Sequence, residues 1–325
     1  MRALALFSGG LDSVLSMKLI IDQNIDVIAI HIDTGFGSAS DKTKHMQNMC
    51  DQIGASLKIL NLKDEFLNEV LFEPKYGYGK NFNPCVDCHG FMFRYTKKLL
   101  QIYEASFMIS GEVLGQRPMS QRYEAMNQVA SLGENEDDLI VRPLCAKLLP
   151  ITKPEKENWI NREKLLDIQG RSRVKQLQMA KDIGLEGFES PSGGCLLTDI
   201  SFSQRLTEFI KFGKLKVNDI DTIKFGRHFR LNDGAKLIVG RNKEDNKMID
   251  NISNDNYVAV FIQDLPGPSC LLQKNATPSD KKDAIDIVIS YAKTNTEELY
   301  SVSVDDKLHK QKKTKEKQYF QKFFV

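Results

Sequence analysis

The segment that most limits what this chain can fold into is Ser8-Gly9-Gly10-Leu11-Asp12-Ser13. The apolar run Ala3–Phe7 leads into it, and a stretch with helical periodicity, Leu11 to Ile21, leaves it. Strand, glycine turn and helix in that order make an anion site. Glycine adopts positive φ and lets the backbone approach a ligand. The helix start offers unpaired N–H groups and the positive end of a dipole. Ser8 and Ser13 add hydroxyl donors. Asp12 is odd in a site for anions alone, but makes sense if it holds Mg2+ beside phosphates. The lysine of a Walker A loop is missing, which argues against phosphoryl transfer of that type. A plain helix cap would explain Ser-Gly-Gly but not the whole string.

The rest of the first 200 residues repeats the alternation. Val27–Ile32 reads as a buried strand closed by Asp33-Thr34-Gly35, Lys42 to Ile53 as a helix, and Leu57–Leu60 as a short strand. Phe91 to Tyr103 reads as a helix, Phe107–Ile109 as a strand, and the stretch around Arg142-Pro143-Leu144 as a last strand and turn. Alternation of this kind predicts an α/β domain with a doubly wound parallel sheet over residues 1–200. Composition changes near residue 200. A smaller α+β domain is expected over 201–294, followed by a polar tail over 295–325. From Lys307 to the end there are seven lysines against one glutamate. Formal net charge is only +2, so the chain as a whole says little about partners. No apolar run is long enough for a membrane helix and no secretory signal is evident, so a cytoplasmic protein with no membrane partner is expected.

The Ser8–Ser13 string is similar to the PP-loop motif of the ATP pyrophosphatases. The resemblance covers roughly the first 200 residues. It implies that ATP is cleaved between the α and β phosphates and that a carbonyl oxygen is adenylated. Leu6, Phe7 and Ser8 to Ser13 would then line the ATP site, with Ile32 and Asp33 near adenine. Ser110-Gly111-Glu112-Val113-Leu114-Gly115-Gln116, with Ser120-Gln121, resembles a segment of the tRNA 4-thiouridine synthetases. That match adds Gly111 and Gln121 to the ATP site. The residues agree, because ligands bind beyond the carboxyl ends of strands in open α/β sheets. Those synthetases carry an RNA-binding module ahead of the PP-loop. This sequence begins at the PP-loop, so RNA binding is expected from elsewhere in the chain.

Six cysteines are present. Cys85 and Cys88 form a CxxC after Asn83-Pro84, and Cys195 follows Pro191-Ser192-Gly193-Gly194. In a reducing compartment such cysteines point to metal or thiol chemistry. Cys88 and Cys195 match the two catalytic cysteines of the tRNA 2-thiouridylases. Together with Cys85 they also resemble the sulfur-transfer PP-loop enzymes that hold a 4Fe–4S cluster with one iron open. Chemistry suits either version. A thiolate at a helix start has a lowered pKa and can carry a persulfide. Three thiolates make a soft site for iron–sulfur. Zinc would need a fourth ligand such as His89, or the pair is half of a structural zinc site. Cys50, Cys145 and Cys270 read as packing residues.

Near the carboxyl end, Val239-Gly240-Arg241-Asn242 with Asn246, and Leu265-Pro266-Gly267 with Ser269, are similar to signatures of the NFACT-R RNA-binding domain. Arg227, Arg230, Arg241 and Lys243 are the candidate phosphate contacts. The expected function is therefore a tRNA sulfurtransferase. It would use ATP and Mg2+, with catalytic Asp12, Cys88 and Cys195 and a 4Fe–4S cluster on Cys85, Cys88 and Cys195 as one version. Its partners would be tRNA and a sulfur donor, either sulfide or a persulfide from a cysteine desulfurase. The Gly111–Gln116 segment favours 4-thiouridine, the cysteine layout 2-thiouridine. Two rivals remain. A PP-loop synthetase adding nitrogen to a small molecule would leave the cysteines idle. A non-enzymatic RNA- or ribosome-binding factor would leave Asp12 idle.

Overall fold

The computed structural model describes residues 1–38, 41–189 and 194–325. The chain divides into two compact units, Met1–Asp199 and Ile200–Val325.

The first unit is built on a five-stranded sheet of order β3-β2-β1-β4-β5. The strands are β1 (Arg2–Leu6), β2 (Asp26–Asp33), β3 (Ser56–Asn61), β4 (Phe107–Ser110) and β5 (Ile140–Val141). Every pairing is parallel. Residues such as Ala3, Leu4, Ala5, Val27 and Ala29 are buried on both faces, as a covered parallel sheet requires. Helices α1 (Leu11–Ile21), α2 (Thr43–Ile53) and α7 (Val174–Asp182) share the core on one face. Helices α4 (Cys85–Leu99) and α5 (Tyr123–Leu132) pack on the other, against Leu6, Met108 and Ile140. Two four-residue helices, α3 (Lys63–Phe66) and α6 (Lys153–Lys156), lie in the connections. This is the expected doubly wound arrangement.

Strand order reverses at β1. The chain goes outward through β2 and β3, then returns to the other side of β1 with β4. Ligands of open α/β sheets bind at that reversal, beyond the carboxyl ends of the two strands. The Ser8–Ser13 turn leaves β1 there and Gly111 leaves β4.

Two local expectations change. Helix α4 begins at Cys85, not Phe91, so Cys85 and Cys88 lie in its first turns rather than in the preceding loop. Pro84 stands at the N-cap, where its carbonyl accepts the Cys88 amide (2.8 Å), and Asp87 accepts the amides of Lys75 (2.6 Å) and Tyr76 (3.1 Å). A β-carbon at Gly90 would meet Leu132 Cβ at 2.3 Å, so this glycine is a close contact of α4 with α5. The last strand stops at Val141 because Pro143 has no amide to donate.

The second unit is an antiparallel six-stranded sheet of order β11-β10-β8-β9-β7-β6. Its strands are β6 (Arg227–Arg230), β7 (Lys236–Val239), β8 (Tyr257–Ile262), β9 (Cys270–Gln273), β10 (Leu299–Val304) and β11 (Lys307–Lys312). Its helices are α8 (Ile200–Ile210), α9 (Val217–Lys224), α10 (Lys243–Asp250) and α11 (Pro278–Ser290). Helix α11 shares a core with Phe229, Val260, Leu272, Val302 and Val304. On the opposite face, Phe225, Ile238, Tyr257 and Leu271 pack with Ile249 of α10.

The segment 295–325, read as a polar tail, holds β10, β11 and a 3-10 turn over Lys317–Phe323. Tyr300, Val302 and Val304 alternate inward beneath the polar composition. Phe320 and Phe323 join the core of α11. Phe324 meets Phe229 edge-on, and the Val325 amide donates to His228 O at 2.9 Å. Among the described residues no helix is long and apolar enough to cross a membrane.

Candidate functional site

Helix α1 starts from Gly10, which is extended (φ −89°, ψ 159°), after Gly9 at φ +78°. No side chain caps the helix. Its first amides therefore keep donors for a ligand, since they have no intrahelical partner. Ser8 is exposed, while Ser13 is buried and donates from Oγ to Gly10 O at 2.7 Å. Gly9 O lies 3.3 Å from His45 Nε2, which braces the turn from α2.

Gly111 seals the turn from the β4 side. A β-carbon there would fall 2.5 Å from the Ser13 amide nitrogen and 2.7 Å from Asp12 C. Only glycine lets the two backbones come this close, so the spacing of strand end and turn is set by this residue.

Asp12 is the hub. Its Oδ2 accepts Gln116 Nε2 at 2.7 Å and Arg173 Nε at 3.2 Å. Gln176 Nε2 donates to Gln116 Oε1 at 3.1 Å. Asp12 Oδ1 is buried and has no partner among the described residues, and the same holds for Gln121 Oε1 and Gln176 Oε1. An unused carboxyl oxygen beside a helix start suits a hard cation, so the residue fits Mg2+. Gln121 is buried on the loop after β4, whose fold is closed by Gly115 N donating to Gln121 O at 2.6 Å. It is Gln116, however, that touches Asp12.

At the end of β2, Ile32 is buried and Asp33 accepts the Gly35 amide (2.8 Å) and pairs with Lys63 (3.0 Å). Phe7 N donates to Ile30 O at 2.9 Å, and His31 Nδ1 lies 2.9 Å from Phe7 O. These contacts lock the ends of β1 and β2 together, with Leu6 below them packed on the α4 side.

The cysteines converge from separate segments. Cys85 opens α4, and its Sγ accepts Asn83 Nδ2 at 3.3 Å. The Cys195 segment is tied down by Leu196 N to Phe36 O (2.8 Å) and Asn81 Nδ2 to Thr198 O (2.6 Å). Burial pushes the Cys88 thiol well above its usual range, and the nearby Cys195 and Cys85 push it further. Burial raises Cys195 to about 12, against the lowering effects of the Leu197 amide and Arg117. Burial of Cys88 and Cys195 thus works against the lowering expected from a helix start. Pro191, Ser192 and Gly193 of the glycine loop lie outside the described residues.

Three thiols suit iron–sulfur as a donor set. Among the described residues no three His, Cys, Asp or Glu side chains stand in a metal-holding arrangement. His89, the candidate fourth zinc ligand, has its Nδ1 2.8 Å from Glu112 Oε1. Cys50, Cys145 and Cys270 are buried.

Glu112 is a residue whose role the motifs do not announce. It follows Gly111 and is 4% exposed. Its Oε2 accepts Arg142 Nε at 2.8 Å and Ser110 Oγ at 3.2 Å, and its Oε1 meets His89, the neighbour of Cys88. Burial would raise this carboxyl, but Arg142 and His89 outweigh it and hold it at about 2. The Glu112–His89 contact joins the strand end that touches the glycine turn to the helix that carries Cys88. Arg173 is also missed by sequence reasoning, for it meets Asp12 from 161 positions away.

In the second unit the proposed phosphate contacts are mostly engaged. Arg230 donates to Glu208 at 2.5 Å, and Lys236, 1% exposed, reaches the same carboxylate at 2.6 Å. Arg241 pairs with Asp245 at 2.5 Å. Arg227 lies over the Tyr291 ring at 5.0 Å. Lys243 begins α10, is exposed, and has no ion pair among the described residues.

Residues 1–117 match a family model described as the tRNA methyl transferase HUP domain, and residues 226–323 match the NFACT protein RNA binding domain. The chain is 25% identical over 239 residues to the tRNA-specific 2-thiouridylase MnmA of Francisella tularensis subsp. novicida, spanning 68% of this chain and 61% of that one. It is 28% identical over 107 residues to MnmA 2 of Fusobacterium nucleatum, spanning 32% and 31%. The chain thus spans less than two thirds of the length of these relatives. A crystal structure of a 4-thiouridine synthetase–RNA complex with bound ATP aligns at 16% identity and a TM-score of 0.40, over 69% of this chain and 52% of that one. A likeness of that size carries no argument. The chain joins a domain similar to the PP-loop tRNA thiouridine enzymes to one similar to the NFACT RNA-binding domain, the recognition that the motifs imply.

Proposed function

We propose that the protein is an ATP-dependent tRNA sulfurtransferase. The observation that carries this reading is the helix start at the carboxyl end of β1 with an unused Asp12 oxygen. The same unit carries Cys85, Cys88 and Cys195, of which Cys85 and Cys195 lie near enough to Cys88 to raise its pKa. The matches to a tRNA-directed HUP model and to named 2-thiouridylases support the same chemistry.

In this reading the triphosphate lies against Ser8 to Ser13, with adenine near Ile32 and Asp33, and Asp12 would hold Mg2+, which would supply charge to offset the phosphates. A uridine carbonyl oxygen attacks the α-phosphorus. The bond from that phosphorus to the bridging oxygen breaks, and pyrophosphate leaves. The carbonyl oxygen, a poor leaving group, is now part of AMP. Sulfur attacks the same carbon, the C–O bond breaks, and AMP departs. In the persulfide version one of Cys88 and Cys195 carries the sulfur. The other thiol then cleaves the S–S bond of the adduct and leaves a Cys88–Cys195 disulfide, which a thiol reductant reopens. In the cluster version Cys85, Cys88 and Cys195 would hold 4Fe–4S, whose open iron would supply a binding place for sulfide.

The Gly111–Gln116 segment favours 4-thiouridine, which is the product we propose. The spacing of Cys88 and Cys195 favours 2-thiouridine as the second reading. Mass spectrometry of tRNA nucleosides from a deletion strain decides. Loss of one thionucleoside, restored by the wild-type gene but not by Cys88→Ser or Cys195→Ser, is the expected result and names the position. Unchanged thionucleosides would contradict the proposal. Restoration of the thionucleoside by both serine variants would contradict the role given to these cysteines, while unchanged thionucleosides together with serine variants that keep the protein's own activity would favour a nitrogen-adding synthetase.

A further inference from the structure

The sheet of the second unit has one face that is only half covered. On that face Ile238, Leu271 and Tyr257 lie under α10. Side chains alternate along a strand, so register identifies which residues continue the same face. Leu271 pairs with Ala259, and Phe261 follows two residues on. Phe261 pairs with Ser303, which pairs with Leu308. The next pairs outward are Ser301 with Lys310 and Leu299 with Lys312. Phe261 is 42% exposed, Leu299 54% and Leu308 53%. Lys310 and Lys312 are exposed and have no ion pair among the described residues.

We propose that this open face, formed by β8, β10 and β11, binds single-stranded RNA. Phe261 offers its ring to a base, Leu299 and Leu308 line the path, and Lys310 and Lys312 meet phosphates. The proposal rests on the reading of the protein as an RNA-modifying enzyme and names where the RNA is held. Aromatic rings on a sheet flanked by cations bind unpaired nucleotides with little regard to sequence, because every base has a stacking face.

Charge favours RNA over a protein partner. Lysine is depleted from protein interfaces. Here the apolar side chains are interleaved with two uncompensated lysines and with serines rather than joined in one apolar patch. The contrast with Arg230, Lys236 and Arg241 points the same way, for those cations are already held by Glu208 and Asp245.

The test is fluorescence anisotropy with the full chain, using a labelled short oligouridine and an unmodified tRNA transcript over a range of salt. Phe261→Ala should weaken both by about tenfold with little change in salt slope, and Phe261→Trp should restore them. Lys310→Ala with Lys312→Ala should weaken binding and lower the log–log salt slope by roughly one per lysine. Melting midpoints should stay at the wild-type value, since the altered side chains are exposed. Wild-type binding with unchanged binding by every variant would overturn the surface and leave the tRNA-modifying reading standing. Variants that change self-association in sedimentation but not RNA affinity would make the face a protein contact and also overturn it. No RNA binding by the wild type would sink the underlying reading as well.

Discussion

The polar residues of the two units are used in opposite ways. In the first unit, Asp12, Gln121 and Gln176 each keep one buried oxygen without a partner among the described residues. In the second unit the arginines that a motif reading assigns to RNA are largely consumed inside the fold: Arg230 by Glu208, Arg241 by Asp245. Leaving a buried acceptor unpaired costs on the order of 1–3 kcal/mol, a cost that a bound cation would remove at Asp12. Residual valence separates Asp12 from Arg230 and Arg241, although His228 and Tyr257 of the second unit also keep a buried polar atom unpartnered among the described residues.

The largest effect should come from Asp12→Asn. If its unused oxygen holds the cation, pyrophosphate release should fall by about a thousandfold, while the melting midpoint shifts little. A variant as active as wild type would break the comparison at its strongest point.

Next is Glu112, a satisfied group within the first unit. Glu112→Gln leaves Arg142 buried without its countercharge and should destabilise the protein by about 3–5 kcal/mol in denaturant unfolding. The pH dependence is a second readout. The carboxyl is held at about 2 against an ordinary 4.5, so the folded state favours the ionised form. That stabilisation is present above pH 4.5 and is lost as pH falls through 2. It amounts to roughly 3 kcal/mol, and the Gln variant should lack that part of the acid sensitivity.

The smallest effects belong to the second unit. Arg230→Ala should cost about 1–3 kcal/mol of stability, because it strips a partner from the half-buried Glu208. Arg241→Ala should cost less than about 1 kcal/mol, since its pair with Asp245 is largely exposed on the arginine side. Neither should lower RNA affinity beyond twofold by anisotropy. A tenfold loss from either would show that these cations leave their carboxylates for phosphate, and would erase the contrast.

Much of this was legible from the residues alone. The glycine turn, the bounds of α1 and the alternation of strand and helix follow from local pattern, because each is encoded within a dozen positions. What escaped was non-local or hidden by averaging. Arg173 and Gln176 reach the Asp12 cluster only through the packing of α7 on α1. The inward alternation of Tyr300, Val302 and Val304 is masked by the lysines around it. The cysteine pKa values were misjudged because proximity to a helix start is visible in sequence and desolvation is not.

The most direct test of the central claim is pyrophosphate release by the purified chain with ATP, Mg2+ and unmodified tRNA. The account predicts pyrophosphate and AMP in the presence of tRNA, and about a thousandfold less from Asp12→Asn. If the wild-type protein neither binds ATP nor releases pyrophosphate under those conditions, the glycine turn is only a helix start, and the account built on it is wrong.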